Sequence, residues 1–72
     1  MPHEYIPRGE PVTQAEAVAL RVECERDGDD AVAKRIGISR MGIARVIARL
    51  PVSRGNRALV RVYLESPERH AA

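Results

Sequence analysis

The sequence contains few of the residues that support disulfides, metal sites or base stacking. Among its 72 residues there are one cysteine, two tyrosines and neither tryptophan nor phenylalanine. The lone thiol of Cys24 can form no internal disulfide and provides no pair of metal ligands, which fits a reducing compartment. Neither Tyr5 nor Tyr63 falls in the basic part of the chain, so single-stranded RNA would find no aromatic platform there. The sequence therefore gives little support to RNA binding.

Long apolar runs are also absent. None approaches the roughly 20 residues that a transmembrane helix needs, and the first residues lack the basic segment and apolar core of a secretory signal. We therefore expect a cytoplasmic protein without membrane contact. A chain of 72 residues suffices for one small domain near the lower limit for a self-supporting core, and a homodimer would relieve that limit.

The side chains that carry catalysis are not grouped in this sequence. His3 and His70 lie near the two ends, and Cys24 falls within a predicted helix. No serine is paired with a histidine, and no acid occurs in the basic half before Glu65. We expect no enzyme activity, no catalytic residue, no metal ion, no cofactor and no small-molecule ligand.

The charges of the sequence are segregated. Residues 1–33 carry three basic and eight acidic side chains, whereas residues 34–72 carry nine basic and two acidic ones. Between Lys34 and Arg61 eight basic residues occur without an acid, and seven of them are arginine. The planar guanidinium of arginine suits phosphates and guanine edges. Such a segregation is typical of a nucleic-acid-binding face.

Residues 29–49 carry the pattern of two short helices joined by a tight turn. Gly37 ends the first helix, whose apolar residues have the spacing of one inner face: Val32, Ala33 and Ile36. Ile38 is expected to lie buried in the turn. Ser39 can then cap a second helix, about residues 39–50, with inward positions at Ile43, Val46, Ile47 and Leu50. Two helices joined in this way make a helix-turn-helix.

This spacing resembles the helix-turn-helix of the phage-repressor and Cro-like DNA-binding proteins. Ala33 and Gly37 match two places of that motif, where a small alanine lets the helices cross closely and a glycine adopts a left-handed conformation. The resemblance covers residues 29–49 and implies a mode of DNA binding, without indicating an operator or a gene. The chain departs from the family at the start of the first helix, where members often bind a phosphate. Here Asp29 or Asp30 is expected to cap the helix instead.

The remaining segments complete a single domain, residues 13–66. Residues 1–12 contain three prolines and are expected to form a flexible arm whose acidic residues argue against contact with a DNA groove. Thr13 opens helix 1 through a capping box with Glu16, and Gly28 stops the helix after Asp27. Residues 67–72 are expected to form a flexible tail.

Helix 1 has two apolar stripes on nearly opposite sides. One stripe consists of Ala15, Val18, Ala19 and Val22, and the other of Ala17, Leu20 and Cys24. One of them must cover the helix-turn-helix, and the other can pack on helix 4 or meet a second subunit. The sequence leaves open which stripe does which.

The segment after Pro51 admits two structures. Its β-branched residues favour a strand, which would form a basic β wing. However, only Val52 and Ser53 remain for the partner strand, and a hairpin that short is marginal. We therefore predict an all-α domain of about four helices, with three helices plus a short β wing as the alternative for residues 52–65.

The second helix of the motif defines a set of candidate DNA contacts. Such a helix enters the major groove, and a central arginine such as Arg45 can bond both acceptors of a guanine. The candidate base-reading residues are Arg40, Met41, Ala44, Arg45 and Ala48. Residues around this helix and at the start of the predicted fourth helix are expected to hold phosphates, which fixes register: Lys34, Arg35, Ser39, Arg49, Arg54 and Arg57.

Gly42 stands inside the same predicted helix. Glycine costs about 1 kcal/mol relative to alanine in a helix interior, so its presence indicates a close approach. The approaching group is either DNA or the preceding helix of the motif.

Together these features predict a small transcriptional regulator that binds double-stranded DNA sequence-specifically. A homodimer on a two-fold operator, acting as a repressor at the nucleoid, is the simplest form of that function. The alternative is a protein-interaction or antirepressor module that uses the helix-turn-helix scaffold without touching DNA.

Overall fold

The computed structural model describes residues 9–66 and places four helices there: α1 at Gln14–Asp27, α2 at Asp29–Ile36, α3 at Arg40–Ile47 and α4 at Arg54–Glu65. The described part of the chain contains no β-strand, so the prediction of an all-α domain with a fourth helix is confirmed and the β wing is wrong. None of these helices is long and apolar enough to cross a membrane. The predicted tail and residues 1–8 of the predicted arm lie outside the described residues.

The ends of α1 are encoded locally, as the sequence predicts. The Thr13 amide donates to Glu16 Oε1 over 2.9 Å, and the Glu16 amide donates to Thr13 Oγ1 over 3.1 Å. These two bonds form the predicted capping box. Gly28, with φ of 95°, ends the helix and lets α2 begin at the next residue.

One side of α1 forms the centre of the core. Ala17, Leu20 and Cys24 are buried, whereas Val18 and Val22 of the other stripe are 44% and 52% exposed. Helix α1 packs on α2, α3 and α4. The stripe that contains Leu20 therefore covers both the helix-turn-helix and the fourth helix.

Helices α2 and α3 form the predicted helix-turn-helix unit. The inner positions of α2, Val32, Ala33 and Ile36, are buried, and Ile38 of the turn packs on the core. Gly37 has φ of 93° and ψ of 28°, which is the expected left-handed conformation. The Ser39 hydroxyl accepts a bond from the Gly42 amide over 3.0 Å and caps α3.

The predicted cap of α2 is wrong. Gly28 occupies the N-cap position and no side chain bonds there, whereas Asp29 and Asp30 lie in the first turn. Since α1 and α2 are separated by Gly28 alone, helical backbone already begins at Asp29 and leaves neither aspartate in the extended conformation of a cap. Their charges still favour the positive end of the helix dipole.

The predicted end of α3 is also wrong. The helix stops at Ile47, three residues early, and Leu50 is 44% exposed instead of buried. Arg49 adopts a positive φ of 57°, so the chain turns before Pro51. This turn brings Val52, which is 4% exposed, into the core in place of Leu50.

The packed domain begins earlier than residue 13. Glu10 and Val52 exchange two backbone hydrogen bonds of 3.2 Å in an isolated antiparallel bridge. Val12 is 1% exposed. A Cβ on Gly9 would lie 1.8 Å from the Val52 carbonyl oxygen, so only glycine fits where the two segments approach. Residues 9–12 thus belong to the domain, although the sequence predicts an arm there.

The structure bears out neither interpretation of Gly42, because the residue is buried inside the protein and nothing approaches it too closely for a side chain. Gly42 is buried, and a Cβ placed on it would lie 3.4 Å from Ile38 Cδ1 and 3.5 Å from Asn56 Nδ2. The neighbouring groups belong to the turn and to α4, so the expected neighbour, α2, is not the one that approaches. These are ordinary contact distances, and the site has room for a methyl group.

We expect opposite effects from two glycine-to-alanine substitutions. Gly42→Ala should raise the free energy of unfolding by up to about 1 kcal/mol, because alanine is the better helix former. Gly37→Ala should lower it by about 1 kcal/mol or more, because alanine resists the left-handed conformation. Urea denaturation followed by circular dichroism measures both. A loss of stability for Gly42→Ala would mean that the packing around Ile38 cannot accept a methyl group.

Candidate nucleic-acid interface

The outer face of α3 presents the predicted base-reading residues together. They are all exposed: Arg40, Met41, Ala44, Arg45 and Ala48, the last being the C-cap. Ile43 and Val46 point into the core with no exposed surface. Helix α3 itself carries no acidic residue. Its outer face is therefore basic with small or apolar residues between the arginines.

Arg45 occupies the middle of this face. Its Nε and Nη2 donate to the Pro51 carbonyl oxygen over 3.2 and 2.8 Å. These bonds use one side of the guanidinium and leave the edge formed by Nη1 and Nη2 free to donate to two acceptors. Because the bonded carbonyl is neutral, the positive charge of Arg45 keeps its full strength.

Arg49 lies just beyond the end of α3 and is tied to the start of α1. Its Nε donates to the Val12 carbonyl oxygen over 3.0 Å. The guanidinium also lines a shallow groove between α1 and α3, together with Gln14, Ala17, Val18, Arg21 and Ile47. Like Arg45, it bonds a neutral carbonyl in the described structure and retains its charge.

Arg40 stands at the first position of α3 and meets an acid. Its Nε lies 3.1 Å from Asp30 Oδ1, and both side chains are more than 70% exposed. Exposed ion pairs of this kind contribute about 0–1 kcal/mol, so the arginine can exchange this partner for another. Asp30 nevertheless lowers the positive potential at this end of the face.

Two of the predicted phosphate contacts are bound to acids of the N-terminal half. Arg35 Nη1 lies 2.7 Å from Asp27 Oδ2, and Arg57 Nη1 lies 2.7 Å from Glu10 Oε1. Arg61, another member of the basic stretch, bonds Glu16 over 3.0 Å. The fold thus pairs charges that lie far apart in the sequence. Because their charges are partly compensated, these arginines attract a nucleic acid less strongly than their number suggests.

The other three predicted phosphate contacts are accessible. Lys34 and Arg54 are exposed, and within residues 9–66 neither forms an ion pair. Ser39 is exposed as well. Its hydroxyl accepts a hydrogen bond from the Gly42 amide and can still donate its own hydrogen to a phosphate. The cations without an acidic partner in this part of the chain are therefore Lys34, Arg45, Arg49 and Arg54.

A buried carboxylate links α1 to α2 and α4, and sequence analysis missed it. Glu23 is 2% exposed, accepts a hydrogen bond from the Tyr63 hydroxyl, and lies 4.0 Å from the guanidinium groups of Arg26 and Arg35. Burial and the bond to Glu23 raise the pKa of Tyr63. A helical wheel could have revealed this position, because it places Glu23 beside Leu20 on the buried side of α1.

Cys24 is held in its neutral form. Burial, with Asp29 and Glu23 nearby, raises the pKa of its thiol to about 11. The attacking species in cysteine chemistry is the thiolate, which this environment disfavours. Cys24 therefore acts as a core residue.

We expect acid to weaken the fold through its paired carboxylates. Hydrogen bonds from Arg26 and Arg35 lower the pKa of Asp27. Burial alone would raise the pKa of Glu16, but hydrogen bonds from Thr13 and Arg61 outweigh it and lower the value. A lowered folded-state pKa contributes stability above the unfolded-state value that is lost as pH falls, here from about pH 5 toward pH 2.

Urea denaturation at a series of pH values measures this loss. In Asp27→Asn the free energy of unfolding should fall less steeply as the pH is lowered, because asparagine does not titrate. An identical slope for Asp27→Asn and the parent chain would show that the pairs to Arg26 and Arg35 do not stabilise the fold.

Comparison with known proteins identifies no relative. No protein-family model, curated protein or solved structure matches this chain. The resemblance of residues 29–49 to the phage-repressor and Cro-like motif therefore stays a prediction, and the exposed face of α3 with its charges carries the indication of function.

Proposed function

We propose that this protein is a small regulator that binds double-stranded DNA sequence-specifically, with α3 in the major groove. The observation that carries this proposal is the outer face of α3, which is exposed, contains no acid and has Arg45 at its centre without an acidic partner. The small neighbours Ala44 and Ala48 allow the helix backbone to approach base edges closely. A major groove admits one such helix.

Within this proposal, the residues of the face have different tasks. Arg45 reads a guanine with the free edge of its guanidinium, and Met41, Ala44 and Ala48 contact thymine methyl groups or permit close approach. Arg40 reads a base or a phosphate after leaving Asp30. The phosphate contacts are carried mainly by Lys34, Ser39, Arg49 and Arg54, which fix the register of the protein on DNA.

Arg35 and Arg57 contribute less to this function than their place in the sequence indicates. Each holds an acid over 2.7 Å, and releasing that acid would cost part of the binding energy. The internal pairing lowers the number of counterions that DNA binding can release, so we expect a moderate salt dependence.

In its simplest form this function is repression, in which the bound protein occludes a promoter at the nucleoid. Two copies on a two-fold operator would double the contacts that one α3 makes, with half-sites about one helical turn apart.

Arg45→Ala tests the proposal directly. Fluorescence anisotropy against random and upstream-promoter duplexes, at several salt concentrations, should show tighter binding to one promoter duplex. We expect Arg45→Ala to weaken that binding by roughly 5- to 150-fold, the equivalent of 1–3 kcal/mol for a bidentate base contact. Binding to random DNA should change much less.

Arg21→Ala is the matched control. It removes the same charge from an exposed position on α1. Among the described residues, the only ion pair that Arg21 forms is a 4.0 Å contact with Glu25. It should leave sequence preference unchanged. If wild-type protein binds no duplex even at low salt, the DNA proposal is wrong, and the protein-interaction alternative then explains the basic face by an acidic partner.

A further inference from the structure

We infer that the outer face of α4 is the surface through which two copies of this chain pair, with their α4 helices antiparallel. Val60 points into the core with no exposed surface, whereas Leu59 and Val62 are 43% and 67% exposed. At 100° per residue these two side chains, with Gly55, form a strip on the side of α4 that faces away from Val60. Helix α4 packs on α1 and α2 through its other side.

The charges at the ends of α4 oppose its own dipole. The first residue, Arg54, is basic and the last, Glu65, is acidic, while the first turn contains no acid and the last turn no base. A helix is stabilised by the reverse arrangement, with acids at its N-terminus and bases at its C-terminus. Within residues 9–66 neither Arg54 nor Glu65 forms an ion pair. The end charges of α4 therefore oppose its dipole, although Glu65 is also attracted by Arg61 about one turn earlier.

A second copy whose α4 runs antiparallel would place an opposite charge near each end of this helix. A two-fold axis midway between Leu59 and Val62 places each Leu59 against Val62 of the other copy. Arg54 and Glu65 lie on the same edge of the strip, and this axis brings each Arg54 within about one half-turn of Glu65 of the other copy along the helix axis. The arrangement is self-complementary in the placement of its apolar residues and its end charges, as a two-fold contact requires.

The exposed stripe of α1 lacks this complementarity. The end charges of α1 already suit its own dipole and are bonded within the chain: Glu16 in the first turn bonds Arg61, and Arg26 in the last turn bonds Asp27. A second copy would therefore gain no charge pairing at the ends of α1. Arg61, which lies beside the α4 axis, is already bonded to Glu16 of its own chain. Charge therefore selects α4 over α1 as the surface for a second copy.

This inference deepens the proposed function, since a two-fold operator needs two copies. In the dimer it assigns Arg54 to Glu65 of the second copy, which leaves Lys34, Ser39 and Arg49 as the main phosphate contacts. It can be tested without DNA. Sedimentation equilibrium should give twice the chain mass at roughly 100 µM or above, because an interface between two short helices is small and binds in the micromolar range. Val62→Asp should raise the dimer dissociation constant at least tenfold. Val62 is 67% exposed, so the substitution leaves the core intact.

A charge exchange provides the matched controls. Arg54→Glu and Glu65→Arg should each raise the dissociation constant by roughly tenfold, because each places two like-charge pairs across the interface. The double variant R54E/E65R should return it to within about threefold of the wild-type value. Arg54→Glu also corrects the helix dipole, so the Tm of its monomer should stay the same or rise. Glu65→Arg corrects the dipole as well but gives up the attraction between Glu65 and Arg61, so the Tm of its monomer should change little. Weaker pairing would thus not result from unfolding.

Three results would overturn the inference: a wild-type chain that remains monomeric, a dimer that Val62→Asp does not weaken, or a double variant that fails to restore pairing. None of these three results depends on whether the protein binds DNA. Arg45→Ala should stay dimeric in sedimentation whatever happens to its DNA affinity, and Glu65→Arg should weaken pairing without changing the face of α3.

Discussion

The whole domain depends on the burial of one side of α1 against three other helices. Leu20 has no exposed surface, and burial of such a side chain contributes about 1.5–3 kcal/mol. Within residues 9–66 no fully buried side chain is aromatic, and Tyr63 packs against the core as a partly buried residue. Small and β-branched side chains from every helix therefore meet closely around Leu20. Val12 and Val52, held by the bridge between Glu10 and Val52, close the core at the end of α3. The position of α3, and hence of its exposed face, follows from this packing.

Ion pairs form a second set of contacts between the elements of the domain. Glu10, Glu16 and Asp27 each bond an arginine from the basic half of the chain. These pairs tie α1 and the segment before it to α2 and α4, and they remove charge from the surface that a nucleic acid would meet. What remains uncompensated lies mainly on and around α3. The same pairing that holds the domain together thus concentrates its free positive charge near one helix.

Much of the fold was predictable because the signals are local. The capping box at Thr13, the glycines at positions 28 and 37, and the serine cap of α3 are each decided by a few neighbouring residues. The predictions failed where distant segments meet. Leu50 fits the helical pattern better than Val52, yet Val52 is buried because it pairs with Glu10. Glu23 is buried because Tyr63 arrives from α4. The family resemblance stays untested, so the function is proposed from the exposed face.

The sequence by itself determined the helices, their order and the turn between α2 and α3, because caps, periodicity and left-handed glycines act within a few residues. It also determined which residues of α3 face outward, since helical geometry fixes them once the inner side is known. Only the tertiary structure decided which arginines remain free and which stripe of α1 is buried. Those outcomes depend on side chains up to 47 positions apart, such as Arg57 and Glu10, and no local pattern encodes such a distance.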